Sequence, residues 1–202
     1  MSRVRDLSRG RKILLTVLVI GTVGAVAGIG TLSAFSSSTS NSGNQFDAGT
    51  VYLSDNDSGS FMYQVSNRKP GQSVEKCITV TYGGSLAADV KLYTNSTINA
   101  LGQYIDFTID KGTATGATFP GCGTYTQESQ IFNGTLSGFA SAKNSYANGV
   151  AAFPGSQTAW NNGDSIVYRF TLTLQDNNNA NGAGSGALTS GSHDFTWEAR
   201  NQ

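Results

Sequence analysis

Polar and apolar residues alternate along much of this chain with a period of two, the spacing of strands that bury one face and wet the other. Val74, Lys76, Ile78, Val80 and Tyr82 alternate with polar neighbours. Ile105, Phe107 and Ile109 alternate with Tyr104, Asp106, Thr108 and Asp110, and Ile166, Tyr168, Phe170, Leu172 and Leu174 with Val167, Arg169, Thr171 and Thr173. Near the end, Phe195 and Trp197 alternate with Asp194, Thr196 and Glu198. Turn-forming clusters separate these segments: Asp55-Asn56-Asp57-Ser58-Gly59, Lys69-Pro70-Gly71, Asn161-Asn162-Gly163-Asp164 and the stretch from Asp176 to Gly186. Short strands with one apolar face each predict an all-β sandwich of two antiparallel sheets. The stretch from Thr124 to Pro154 is less regular. There Leu136, Phe139, Ala140 and Lys143 have helical spacing, which predicts a short helix within an insertion from about Thr113 to Pro154.

The N-terminal part has a different pattern. Arg9, Arg11 and Lys12 precede an apolar run from Ile13 to Gly30. A small-residue exit follows, Thr31-Leu32-Ser33-Ala34-Phe35, then a Ser/Thr/Asn-rich tract and the strand-like Phe46-Asp47-Ala48-Gly49-Thr50-Val51-Tyr52-Leu53. A basic start, an apolar centre and small residues at a cleavage point make a secretory signal. At about 18 residues the run is also long enough to span a bilayer as a retained anchor. Gly21, Gly24, Gly28 and Gly30 weaken its second half as a helix, and the first Lys or Arg after it is Arg68, so cleavage is the favoured reading. Cleavage between Ser33 and Ala34 would leave small side chains, Thr31 and Ser33, at the third and first positions before the bond. The expected organisation is a helical signal segment over 1–33, a tail over 34–45 and a β-sandwich domain over 46–202.

Composition agrees with export. The whole chain carries 13 basic and 13 acidic residues. Removing Arg3, Arg5, Arg9, Arg11, Lys12 and Asp6 with the signal leaves 8 and 12, a net charge of −4. A mildly acidic product has no electrostatic footprint for nucleic acid, and contact with a membrane is expected only through the uncleaved signal. In an oxidising compartment Cys77 and Cys122 read as a disulfide, the alternative being two unpaired buried thiols. Closing a loop of about 45 residues would stabilise the fold by roughly 4 kcal/mol on the chain-entropy account. Cys77 alternates with Glu75, Thr79 and Thr81, which puts it on the outer face of its strand.

Catalytic chemistry is sparse. The chain has one histidine, His193, and no H-E-x-x-H, so a multi-histidine zinc site has no ligand supply. Asp55 and Asp57 open a calcium-loop-like stretch, yet its twelfth position is Ser66 rather than Glu; adventitious calcium or a plain Asx turn are the two readings. Asp106 and Asp110 share a strand face that is expected to be solvated. Asn95-Ser96-Thr97 and Asn133-Gly134-Thr135 fit a glycosylation sequon. No cofactor fingerprint is present, so no cofactor and no catalytic residue is expected.

The exit Gly30-Thr31-Leu32-Ser33-Ala34-Phe35 and the phrase Phe46-Asp47-Ala48-Gly49-Thr50-Val51-Tyr52-Leu53 resemble the opening of the TasA/camelysin family of exported proteins. So do the turn Ser66-Asn67-Arg68-Lys69-Pro70-Gly71, the segment Gly84-Ser85-Leu86-Ala87 and the ending Phe195-Thr196-Trp197-Glu198-Ala199. The resemblance implies a SipW-type signal peptidase as partner during export. It further implies a jelly-roll-like sandwich that polymerises with itself, and with other matrix proteins, into extracellular fibres of a biofilm matrix or cell surface. Subunits would join by donor-strand exchange, with Ala34, Phe35, Ser36, Ser37, Ser38, Thr39 and Ser40 in the donor segment. A disordered tail is the alternative for that segment. Two other functions compete: a camelysin-like cell-surface metalloprotease, and a carbohydrate-binding sandwich using Trp160 and Trp197 as a stacking platform.

Overall fold

The computed structural model describes residues 48–181 and 188–202; the expected signal segment over 1–33 and the expected tail over 34–45 lie outside the described residues. Among the described residues the strands are β1 (Leu53–Asp55), β2 (Ser73–Tyr82), β3 (Ala88–Tyr93), β4 (Ile105–Thr115), β5 (Thr124–Thr135), β6 (Val150–Ala151), β7 (Ser165–Leu174) and β8 (Thr196–Asn201), with one α-helix, α1 (Leu136–Ala142). One sheet has the order β1-β2-β7-β4-β5 and the other β6-β3-β8, and every pairing is antiparallel. The expected all-β sandwich is what the chain forms. It changes sheets after β2, β3, β5, β6 and β7, so both layers draw on the whole length of the chain.

The period-two faces meet in the core. Ile78, Val80 and Tyr82 of β2, Phe107 and Ile109 of β4 and Ile166, Tyr168 and Phe170 of β7 face Ala88, Val90 and Leu92 of β3. At the centre, Phe107 has the rings of Phe132, Phe139, Phe170 and Phe195 with centroids 5.4–5.9 Å away. Phe139 meets it edge to face at 84° and Phe195 is stacked at 18°, two arrangements that add to plain burial. Trp160 is fully buried and its Nε1–H donates to the Ala152 carbonyl at 2.6 Å.

Three elements differ from the sequence expectation. Thr124–Thr135, expected within an irregular insertion, is the 12-residue strand β5. β3 was not among the expected strands, although Ala88, Val90 and Leu92 alternate in burial with Asp89, Lys91 and Tyr93. The strand-like phrase ending at Leu53 contributes only that residue to β1; upstream of it the backbone bonds to the β2–β3 turn, Gly83 N–H to the Tyr52 carbonyl and Ser85 N–H to the Thr50 carbonyl. The expected helix is present as α1. The Thr135 hydroxyl accepts from Gly138 N–H at 3.0 Å, and Leu136 and Phe139 point into the core.

The β4–β5 hairpin is the unusual part of the fold. Its register shifts twice, between Ile109 and Asp110 and between Lys111 and Gly112. Bulges increase local twist and bend the strand pair. Gly112 sits where the hairpin is tightest, because a Cβ there would run into the Thr126 carbonyl oxygen and the Tyr125 ring. The tip, residues 116–123, reaches β2 on the far side of β7, where Cys122 forms a disulfide with Cys77. Cys77 does lie in the outer phase of β2, yet it is only 1% exposed, because the tip covers it.

Candidate functional site

The sandwich is not sealed evenly. β1 pairs with β2 only along Val80–Tyr82, so among the described residues the remainder of β2 has no strand on that side. On the other sheet, β8 is paired, among the described residues, with β3 alone. Between them, segment 56–68 and segment 189–195 run without regular strand structure. They border a cleft of about 630 Å³ whose walls include Tyr63, Ile78, His193, Phe195 and Trp197. Phe61, 76% exposed, and the exposed Val65 stand at its rim. Exposed apolar side chains beside an open edge mark a surface suited to another chain.

Tyr63 and His193 close part of this cleft. The tyrosine oxygen lies 2.5 Å from His193 Nε2, and His193 Nδ1 lies 3.0 Å from the Gly191 carbonyl. The Gly191 carbonyl can only accept, so Nδ1–H donates to it. In that tautomer Nε2 accepts from the Tyr63 hydroxyl.

Hydrogen-bond phase shows which main-chain groups each edge presents. Gln202 N–H donates to the Ala87 carbonyl, continuing the β3–β8 ladder. In an antiparallel pair this phase turns the amides of Glu198 and Arg200 towards β3 and those of Trp197 and Ala199 to the free side. On β2, Tyr82 N–H donates to the Asp164 carbonyl, so the odd-numbered amides face away from β7. Gly83 N–H uses the Tyr52 carbonyl, Thr79 N–H the Asn56 Oδ1 at 2.9 Å, and Cys77 N–H the Pro120 carbonyl at 3.0 Å. The chain thus closes that side of β2 itself at these positions, whereas among the described residues β8 has strand pairing on one side only.

A polar network lies on the outer face under the hairpin. Arg169 of β7 donates through Nε and Nη2 to Asp110 Oδ2 at 3.2 and 2.8 Å, and through Nη2 to Gln127 Oε1 at 2.8 Å. Its Nη1 is 3.6 Å from Glu75, and its guanidinium lies 4.5 Å from the Tyr125 ring centre. Burial pulls the Arg169 pKa down, but the bond to Asp110 and the surrounding carboxylates outweigh it, and the net direction is up. Asp110 is 3% exposed, so the expectation of a solvated Asp106–Asp110 face fails for it, while Asp106 remains exposed. The register shift after Ile109 and the folded-over hairpin explain why spacing alone misplaced it.

The other expected residues fall as follows. Ser33 and Ala34 at the cleavage point, and the donor residues Ala34 to Ser40, lie outside the described residues. Asp55 and Asp57 form consecutive Asx turns, Asp57 N–H to Asp55 Oδ1 at 3.1 Å and Gly59 N–H to Asp57 Oδ1 at 2.6 Å. Trp160 is buried and Trp197 packs on Tyr168 and Phe170, so the pair makes no exposed stacking platform. A catalytic zinc needs three protein ligands and one open position. Among the described residues no three His, Cys, Asp or Glu are grouped to hold a metal, and both nitrogens of the chain's one histidine are engaged. The described residues do not fit a zinc centre.

A protein-family model described as camelysin metallo-endopeptidase matches residues 10–178. No curated protein matches the chain.

Proposed function

The chain belongs to the camelysin family, and from that membership and its unevenly closed sandwich we propose that it is an exported structural subunit that assembles with copies of itself into extracellular fibres. The observation that carries this reading is the cleft beside the free side of β8. An extended segment laid there would gain main-chain bonds from Trp197 and Ala199 and apolar contact from Phe195, Ile78 and the rim residue Phe61. Ala34–Gln45 of a second copy is the proposed occupant. It has few bulky side chains, and Phe35 supplies one apolar anchor. Removal of the segment up to Ser33 would free this donor, so processing acts as the assembly switch. The contact is head-to-tail, which propagates into a filament rather than closing as a dimer.

The test compares chains 34–202 and 46–202 by electron microscopy at equal concentration. Fibres are expected from the first alone, and equal polymerisation of both refutes the reading. The family description favours a second reading, a surface endopeptidase. Because the described residues lack a zinc ligand set, we place it behind the structural role. Casein cleavage by pure protein, abolished by a chelator, would reverse that order.

A further inference from the structure

We propose that the cleft beside β8 recognises the charge that processing creates: the free α-ammonium of Ala34 from a second copy pairs with Asp194, and Asp57 strengthens the attraction. Asp57 and Asp194 both line the cleft, and its walls hold no Lys or Arg among the described residues. Neither carboxylate has a basic partner among the described residues. Both stand on tethered backbone. Asp57 Oδ1 accepts from Gly59 N–H at 2.6 Å, and Asp194 N–H donates to Ser96 Oγ at 3.0 Å. An acidic cleft with apolar walls suits an occupant that brings a positive charge beside an apolar side chain.

The tail supplies that combination at its first two residues. Ala34–Gln45 contains no Asp, Glu, Lys, Arg or His, so its one charge is the α-amino group left when the bond after Ser33 is cut. That group is protonated at neutral pH. Phe35, the tail's one aromatic side chain, comes next. Before the cut, residue 34 has an uncharged amide in place of the ammonium. Cleavage therefore frees the segment and also gives it the charge that an acidic cleft selects. β8 begins at Thr196, with Asp194 and Phe195 just before it. An ammonium held at Asp194 sets the donor parallel to β8, with Phe35 beside Phe195 and the Ser/Thr tract along Trp197 and Ala199. The contact rests on the fibre reading, since it uses the same cleft and the same donor.

The test titrates the full chain in detergent, its own residue 34 still joined to Ser33, with a synthetic peptide of residues 34–45, either free or acetylated at its N-terminus. Binding is read by tryptophan fluorescence, because Trp197 lines the cleft while Trp160 is sealed in the core. The free-amine peptide is expected to bind about fivefold tighter than the acetylated one, the upper end for a solvent-reached ion pair. That preference should shrink in about 1 M salt. The double variant Asp57→Asn/Asp194→Asn is expected to bind the acetylated peptide as the parent does, which shows its cleft intact, and to lose the preference. Equal binding of the two peptides by the parent overturns the proposal and leaves the fibre reading standing. Saturable binding of neither peptide overturns both. A full preference that survives in the double variant overturns the assignment to Asp57 and Asp194.

Discussion

Arg169 and Asp110 meet across the β4–β7 register, Nη2 to Oδ2 at 2.8 Å, with the carboxylate almost sealed beneath the hairpin that its own strand begins. Breaking a buried pair strands the surviving charge. The Arg169 side chain retains 23% of its exposure, which moderates the cost. Asp110→Ala is expected to lower the unfolding free energy by about 2–4 kcal/mol. Adding Arg169→Ala should cost less than the sum of the two single changes. Urea denaturation of the four forms measures both numbers, and strict additivity would contradict the coupling.

Phe107 is fully buried and touches the rings of four other phenylalanines contributed by β5, α1, β7 and the segment leading into β8. Its removal leaves a cavity that neighbours from several elements cannot all relax to fill. Phe107→Ala is expected to cost about 3–5 kcal/mol. Phe107→Leu should cost roughly half of that, since much of the volume is kept. Thermal unfolding followed by near-UV circular dichroism reads the loss of ring packing directly.

How far the sequence reveals this fold depends on how many faces of a strand are wet. β7 lies between two strands, and its Ile166, Tyr168 and Phe170 show the core side plainly. β5 is at the sheet edge and exposed or half-buried along its whole length, so polar residues fill both phases until Ile131 and Phe132, and no period emerges. β3 does alternate, but its apolar side opens with a small alanine, which weakens the signal over six residues. The site was less legible still. Nothing in local spacing says that residues 116–123 return to β2, because that contact follows from two bulges and one close approach at Gly112. Cys77 and Cys122 were the one long-range signal, since a bonded pair names two places that must meet.

Gly112 is where that return becomes possible. It does not adopt an unusual backbone angle; what matters is space, since a methyl group would meet main-chain oxygen on Thr126, which cannot swing aside as a side-chain tip can. Gly112→Ala is expected to cost about 1–3 kcal/mol, in the range of overpacking. It should also loosen the tip, seen as faster amide exchange at Cys77. A Gly112→Ala protein with wild-type stability and an equally protected Cys77 amide would show that the approach is less close than described.

Glu198 and Asp55 should tilt the pH dependence of stability in opposite directions. Glu198 accepts from Arg200 Nε and from the Tyr93 hydroxyl, both at 2.8 Å, and these bonds, Arg200 first, hold its carboxyl below its ordinary value of 4.5. Its contribution is therefore fully present above 4.5 and is lost as pH falls through the lower folded-state value. Asp55 is pushed above its ordinary 3.8, chiefly by burial, against the bond from the Asp57 amide and with added repulsion from Asp57. It opposes folding once both states are ionised, and that penalty disappears as pH falls through the raised value. Glu198→Gln is expected to be less stable than the parent at pH 7 by about 0.2–1 kcal/mol, the range for a solvent-reached pair, with the difference closing below pH 4.5. Asp55→Asn should be slightly more stable than the parent at pH 7, because Asn can still accept the Asp57 N–H without carrying charge, and this gain should also vanish in acid. Urea midpoints of the three proteins from pH 3 to pH 7 decide the matter. Parallel curves for the parent and Glu198→Gln would mean that the Arg200 and Tyr93 bonds do not distinguish the folded from the unfolded carboxylate.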